Sequence, residues 1–87
     1  MNYVTFVQVG AGGSWAKDET PMATAKKCAQ IIKEDWGSMF AVAGKECSFP
    51  IWKLPEGETD WNLDHQGLMV DGEWLDPVEH IELVIPS

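Results

Sequence analysis

The 87-residue sequence contains no arginine, and its cationic side chains are limited to six lysines. Arginine supplies the planar donor group that reads phosphates and guanine edges in most nucleic-acid-binding proteins. Binding driven by counterion release needs clustered cations, whereas this chain has a net charge of −8 and a pI near 4.4. We therefore expect no direct binding to nucleic acid.

Long apolar runs and closely spaced cysteines are also missing. No apolar stretch approaches the roughly 20 residues that a membrane span needs, and the first residues lack the basic and apolar regions of a secretory signal. Cys28 and Cys47 are too few and too far apart for a zinc knuckle or a C-x-x-C redox pair. These features predict a cytoplasmic protein with two reduced thiols, a disulfide between them being the alternative.

The acidic residues are concentrated near the C-terminus. Residues 54–87 contain nine acids and no lysine, whereas residues 1–53 contain five acids and all six lysines. This segment also contains two tryptophans directly beside acids, which predicts a negative surface with aromatic anchors for a protein partner with a basic surface. The candidate partner-binding residues are Glu56, Glu58, Asp60, Trp61, Asp64, Asp71, Glu73, Trp74 and Asp76.

The first half of the sequence predicts a strand, a loop and a helix. Residues 3–9 place apolar side chains on both faces of a strand, which is typical of an interior strand. Residues 10–14 are glycine-rich and predict a loop, but they lack the G-K-[ST] and G-x-G-x-x-G patterns of nucleotide-binding loops. Thr20 and Pro21 predict the helix start, and Gly37 predicts its end in a left-handed cap. The predicted apolar stripe of the helix is Met22, Ala25, Ala29, Ile32 and Trp36.

Residues 38–54 predict two further strands, 38–43 and 46–54, joined by a tight turn at Gly44-Lys45. Pro50 lies inside the second of them and has no backbone N–H to donate to a neighbouring strand. It therefore predicts a sheet edge or a bulge at that position.

The remaining residues predict an irregular polar loop over 55–67, a hairpin over 68–75 and a last strand around 81–85. Asp71-Gly72 favours a type I′ turn in the hairpin. We predict a single α+β domain over residues 1–87, in the order β-α-β-β-β-β. One helix would pack on one face of a largely antiparallel sheet of four to five strands.

Catalytic motifs are not apparent. Paired carboxylates suit glycoside hydrolysis, but a domain of this size offers little room for a cleft that binds a sugar and shifts a pKa. The serines lack a nucleophile-elbow motif, and His65 and His80 have no obvious nucleophile nearby in the sequence. We expect neither an enzyme nor a cofactor site.

A calcium loop is the one metal pattern that the sequence offers. Asp60, Asn62 and Asp64 stand at positions 1, 3 and 5 of such a loop, and Asp71 stands at position 12. His65 occupies the position that requires glycine, and no helices are predicted on either side. A calcium-binding module therefore stays an alternative to a solvated acidic loop.

The helix run from Thr24 to Ile32, followed by Asp35-Trp36-Gly37 and a predicted strand, is similar in style to small phage-encoded anti-CRISPR proteins. The plan of first strand, helix and hairpins also resembles theirs. Those proteins share no motif, so the likeness assigns no functional residue. The resemblance implies a phage-encoded inhibitor, acting in the host cytoplasm, that blocks the DNA-binding surface of a host defence complex.

The acidic segment suits such a role because carboxylates held on a rigid sheet can occupy sites meant for DNA phosphates. On this hypothesis the protein acts as a DNA mimic, as a monomer or a homodimer. The alternatives are an accessory or assembly module that dimerises through the strand near Pro50, and an acid excess that serves solubility alone.

Overall fold

The computed structural model describes residues 2–37, 40–57 and 60–87, in which one helix and seven strands form. Antiparallel pairing gives a four-stranded main sheet, in the order β2-β1-β3-β7, and a three-stranded hairpin sheet, in the order β4-β5-β6. The predicted α+β class with a single helix is confirmed. The elements are β1 (Asn2–Val9), β2 (Gly12–Asp18), α1 (Pro21–Trp36), β3 (Glu46–Leu54), β4 (Trp61–Asp64), β5 (Gly67–Val70), β6 (Glu73–Leu75) and β7 (Glu79–Val84).

Strand β2 takes up residues 12–14 of the predicted loop, so that prediction is wrong there and holds only for the turn at residues 10 and 11. β1 turns at Gly10, whose φ is 59°, and pairs with β2 from Val9–Gly12 to Tyr3–Asp18. The next two glycines serve packing: a Cβ on Gly13 would clash with the ring of Phe6, and one on Gly12 would lie 2.7 Å from the Trp36 ring. The glycines therefore admit aromatic rings against the sheet, and the segment is not an anion-binding loop before a helix.

Helix α1 begins and ends where the sequence predicts. The Thr20 hydroxyl accepts a hydrogen bond from the Ala23 N–H at 3.1 Å, and Pro21 is the first helical residue. The predicted left-handed cap is wrong: Gly37 has φ −61° and ψ −33°, and its N–H donates to the Lys33 carbonyl at 3.0 Å. Met22 is 45% exposed and lies outside the buried stripe. The buried helical residues are Thr24, Ala25, Cys28, Ala29 and Ile32.

The main sheet is covered on both faces. Phe49 and Ile51 of β3 pack with the buried side of α1, whereas Trp52 and Leu54 of the same strand pack against the hairpin sheet. The side chains of β1 also alternate between the two clusters, with Val9 on the helix side and Val4 on the hairpin-sheet side, as predicted for an interior strand. Two apolar clusters therefore hold three layers together, with the main sheet in the middle.

The segment before β3 differs from its prediction. Residues 40–43, the described part of the predicted strand, form an irregular segment that leads into a turn, and residues 38 and 39 lie outside the described part of the chain. The Phe40 ring packs on Trp36 at 5.9 Å between centroids and also contacts Gly10. The Phe40 ring therefore covers the turn end of the β1–β2 hairpin.

Pro50 lies in an interior strand, because the edges of the main sheet are β2 and β7. Hydrogen-bonded pairing between β1 and β3 ends at Thr5–Ile51. The next residue of β3 is Pro50, which has no N–H to donate to β1. Pairing with β7 continues through Pro50–His80. A dimer through β3, the predicted alternative, would therefore have to displace a neighbouring strand.

The hairpin predicted around Asp71-Gly72 is confirmed. Both turn residues have positive φ, 49° and 83°, as a type I′ turn requires. The predicted irregular segment 55–67 instead contains β4, which pairs with β5 from Trp61–Val70 to Asp64–Gly67. The last strand, β7, covers the predicted strand except for Ile85, which follows its end.

Cys28 and Cys47 are free thiols, in agreement with the prediction of reduced cysteines. Burial, and to a lesser degree the proximity of Cys47, raises the pKa of the Cys28 thiol from 9.0 to about 12. Cys28 is therefore almost fully protonated at neutral pH and acts as a small apolar residue. In the described part of the chain, no helix is long and apolar enough to cross a membrane.

The replacement Thr5→Val is expected to stabilise the protein by about 1 kcal/mol, which raises the melting temperature by roughly 4–8 °C. Thr5 is fully buried, and its hydroxyl has no hydrogen-bond partner among the described residues. The matched control is Thr24→Val, since Thr24 is equally buried but donates to the Thr20 carbonyl at 2.7 Å. Calorimetry should show the control melting below the wild type; a lower melting temperature for Thr5→Val would show that its hydroxyl is satisfied.

Candidate partner-binding surface

The hairpin sheet carries most of the candidate residues, and its register assigns each side chain to a face. Residues directly opposite each other in an antiparallel pair project to the same side. Leu68 lies opposite Leu63 and Leu75, and these three form the side directed at the main sheet. Met69, the residue after Leu68, lies opposite Asn62 of β4 and Trp74 of β6. These three side chains therefore form a row on the other side of the hairpin sheet. We call this solvent side the outer face.

Asp60 and Asp71 lie together at one end of the outer face. The Asp71 N–H donates to the Asp60 carbonyl at 2.8 Å, and the Asp71 carboxylate accepts from the Asp60 N–H at 3.2 Å. A shallow cleft of about 250 Å³, lined partly by Asp60, Asn62 and Met69, begins at this end. These hydrogen bonds join the two backbones and fix the Asp71 carboxylate. Because Asp60 beside it is also exposed, this end of the sheet is negative.

Asp64 and Asp76 lie at the opposite end. Asp64 is the last residue of β4, and its carboxylate accepts a hydrogen bond from the Gln66 N–H at 2.7 Å within the turn to β5. Asp76 directly follows the last residue of β6 and is exposed. At about 3.4 Å per residue, the four residue steps from Asp60 to Asp64 separate the two acidic ends by roughly 14 Å.

Trp74 lies between the two acidic ends. It is 49% exposed, and its neighbours across the sheet are Met69 and Asn62. A half-exposed tryptophan offers a large, rigid apolar area to a partner. The outer face therefore combines one aromatic side chain with carboxylates at both ends, in a segment without lysine or arginine.

Trp61 and Glu73 lie on the other side of the hairpin sheet. Both are opposite Val70 in the register, so both project toward the main sheet, although each is exposed at the rim. The Trp61 ring makes an edge-to-face contact with Trp15 of β2, with 6.4 Å between centroids. The structure thus separates the two tryptophans that the sequence suggests as joint anchors.

Two candidate residues, Glu56 and Glu58, are not part of the strands of this sheet that the structure describes. Glu56 is exposed in the loop after β3, and Glu58 falls outside the described residues. The outer face therefore brings together Asp60, Asp64, Asp71, Trp74 and Asp76 of the predicted set.

Trp52 joins the hairpin sheet to the main sheet. Its indole N–H donates to the Leu75 carbonyl at 3.0 Å, and its ring packs against Gly67, where a Cβ would lie 3.2 Å from the ring. Since Leu75 and Gly67 belong to β6 and β5, one side chain positions two of the three strands. The carboxylates of the outer face are consequently held on a fixed support.

The calcium alternative does not match this geometry. Asn62 and Asp64 lie on strand β4, where side chains two residues apart are separated by about 7 Å. A calcium loop must fold its oxygens to within about 2.6 Å of one ion. No group of three or more His, Cys, Asp and Glu side chains within residues 2–37, 40–57 and 60–87 could hold a metal ion.

Sequence reasoning missed Asn62 and Met69, which complete the outer face around Trp74. The short alternation from Trp61 to Asp64 is the signal that could have found them, because a strand there pairs with the predicted hairpin. Comparisons of the chain with protein-family models, curated proteins and solved structures found no match.

Proposed function

We propose that this protein is a small inhibitor that binds a basic, nucleic-acid-handling surface of a protein partner through the outer face of the hairpin sheet. The observation that carries the proposal is the position of Trp74, half-exposed between two acidic ends on a rigid sheet. The chain contains no arginine, and its last 34 residues contain no lysine. The outer face therefore suits a cationic partner and disfavours DNA or RNA itself.

The physical basis is competition for sites that bind phosphate. Lysine and arginine side chains in a DNA-binding channel donate hydrogen bonds to any suitably placed anionic oxygen, and carboxylates on a fixed sheet cost little entropy to position. The net charge of −8 would speed association with such a channel and would make binding sensitive to salt. Trp74 would supply contact area that free phosphate lacks.

The resemblance to anti-CRISPR proteins specifies the class of partner within this proposal. The protein would be phage-encoded, would act in the cytoplasm of the bacterial host, and would block the DNA-binding surface of a defence complex. It would need neither a cofactor nor catalytic residues, since occupancy alone blocks the site.

A plaque assay tests the proposal at the level of function. Expression of the wild type in strains with active CRISPR–Cas immunity is expected to restore plaques of a targeted phage in at least one system of a panel covering the main types. The double variant Asp60→Lys/Asp76→Lys should lose this effect. The double variant Glu79→Lys/Glu82→Lys is the control, because it makes the same charge change on exposed positions of β7.

Failure to restore plaques in any system would contradict the assignment to CRISPR–Cas. Equal activity of the two double variants would instead contradict the role of the outer face.

A further inference from the structure

A groove of about 500 Å³ runs between β2 and helix α1, on the side of the molecule away from β3. Its walls are residues 13–17 of β2 and the helical side chains of Lys27, Ile31 and Asp35. β2 is an edge strand of the main sheet, so one side of its backbone pairs with no strand of the described chain, although the Lys17 carbonyl accepts a hydrogen bond from the Lys27 ammonium group. The groove therefore combines an open strand edge with a line of helical side chains.

These helical side chains are self-complementary. Lys27, Ile31 and Asp35 are spaced four residues apart, so they form one line along the helix with a cation at one end and an anion at the other. If two copies of the helix lie antiparallel with Ile31 at the centre, each Lys27 meets Asp35 of the second copy. Such a two-fold axis would form two ion pairs around an apolar contact.

Strand β2 fits the same axis. The helix runs antiparallel to β2, because Lys27 donates to the Lys17 carbonyl at 3.2 Å whereas Trp36 donates to the Ser14 hydroxyl at 2.9 Å. Ile31 is consequently level with the middle of β2, where Trp15 lies. An antiparallel pairing of two β2 strands centred on Trp15 would thus share its axis with the helix contact.

We propose that the protein forms a homodimer in which β2 pairs with β2 of a second copy and the two main sheets become one eight-stranded sheet. Trp15, which is 52% exposed, would lie opposite Trp15 of the second copy and lose most of its contact with water. The two α1 helices would pack beside each other over the new sheet. The dimer does not depend on the outer face, whose acids do not line this groove.

Charge reversal and its rescue test the dimer. Sedimentation velocity of the purified full chain is expected to show a concentration-dependent dimer at micromolar protein. Asp35→Lys or Lys27→Asp alone places like charges at both contacts and should weaken dimerisation by at least about 10-fold. The double variant K27D/D35K restores opposite charges and should return to within about 3-fold of the wild-type dissociation constant.

Lys26→Asp is the matched control, since Lys26 is exposed on the same helix and does not line the groove. It should dimerise like the wild type, and circular dichroism should show that every variant retains its fold. A wild type that stays monomeric at all concentrations would overturn the proposal, and would instead leave β2 open for an extended segment of a different protein. A dimer that tolerates the single reversals, or a folded double variant that stays monomeric, would overturn it equally.

Discussion

Replacement of Trp52 with alanine is expected to lower the free energy of unfolding by about 3–5 kcal/mol, one of the largest effects of any single substitution in this chain. Trp52 is buried in the cluster between the two sheets, with Leu54, Leu68 and Val70. Alanine would leave a cavity there and would leave the Leu75 carbonyl without its indole donor. Urea denaturation followed by circular dichroism measures the loss.

Trp52→Phe is the matched control for this prediction. Phenylalanine keeps most of the apolar volume and removes the N–H, so we expect a loss of about 1–2 kcal/mol. In the alanine variant, hydrogen exchange should become faster in β5 and β6 than in the β1–β2 hairpin, because Trp52 holds the former to the main sheet. A loss below about 1 kcal/mol for Trp52→Ala, or uniform exchange, would show that the hairpin sheet is held by other contacts.

The second large effect is on binding. Asp60→Lys/Asp76→Lys is expected to weaken the affinity for the basic partner proposed above by at least about 30-fold at low salt. The change reverses one charge at each end of the outer face and leaves Trp74 in place. Both positions are exposed, so the fold should be retained. Biolayer interferometry at several salt concentrations measures the affinity and its salt dependence.

Glu79→Lys/Glu82→Lys has the same net charge and should weaken binding by less than about threefold. Trp74→Ala should cost about 2 kcal/mol of binding energy with little change in the salt dependence, since it removes area rather than charge. Equal losses in the two charge variants would indicate that only the net charge matters. The outer face would then have no specific role.

The features that the sequence predicts correctly are local ones. Thr20 and Pro21 define a helix start through contacts within one turn, and Asp71-Gly72 defines a type I′ turn through the φ angles those residues accept. Residues 46–54 predict β3 to the residue because Phe49, Ile51 and Trp52, which favour strands, lie in a short run that follows the turn at Gly44-Lys45.

The features that it misses depend on partners distant in the sequence. β2 begins with two glycines, and their packing against Phe6 and Trp36 becomes apparent only in the folded chain. β4 has only four residues, half of them polar, so its strand character comes from pairing with β5.

The candidate surface also has one feature that the sequence predicts and one that depends on the fold. The one-signed charge of residues 54–87 follows from composition alone. The separation of Trp74 from Trp61 depends on the register of three strands, because a shift of one residue exchanges the two faces. Recognition of β4 is therefore what selects the five outer-face residues from the nine candidates.

Affinity capture from a nuclease-treated bacterial lysate tests most directly whether the outer face binds a basic partner. The wild type, D60K/D76K and E79K/E82K would be immobilised at equal density, and bound proteins would be quantified by mass spectrometry. We expect the wild type and the β7 variant to retain the same basic, nucleic-acid-handling protein, eluted by moderate salt, and D60K/D76K to lose it. Capture of no such protein, or its equal retention by all three, would contradict the proposed binding surface.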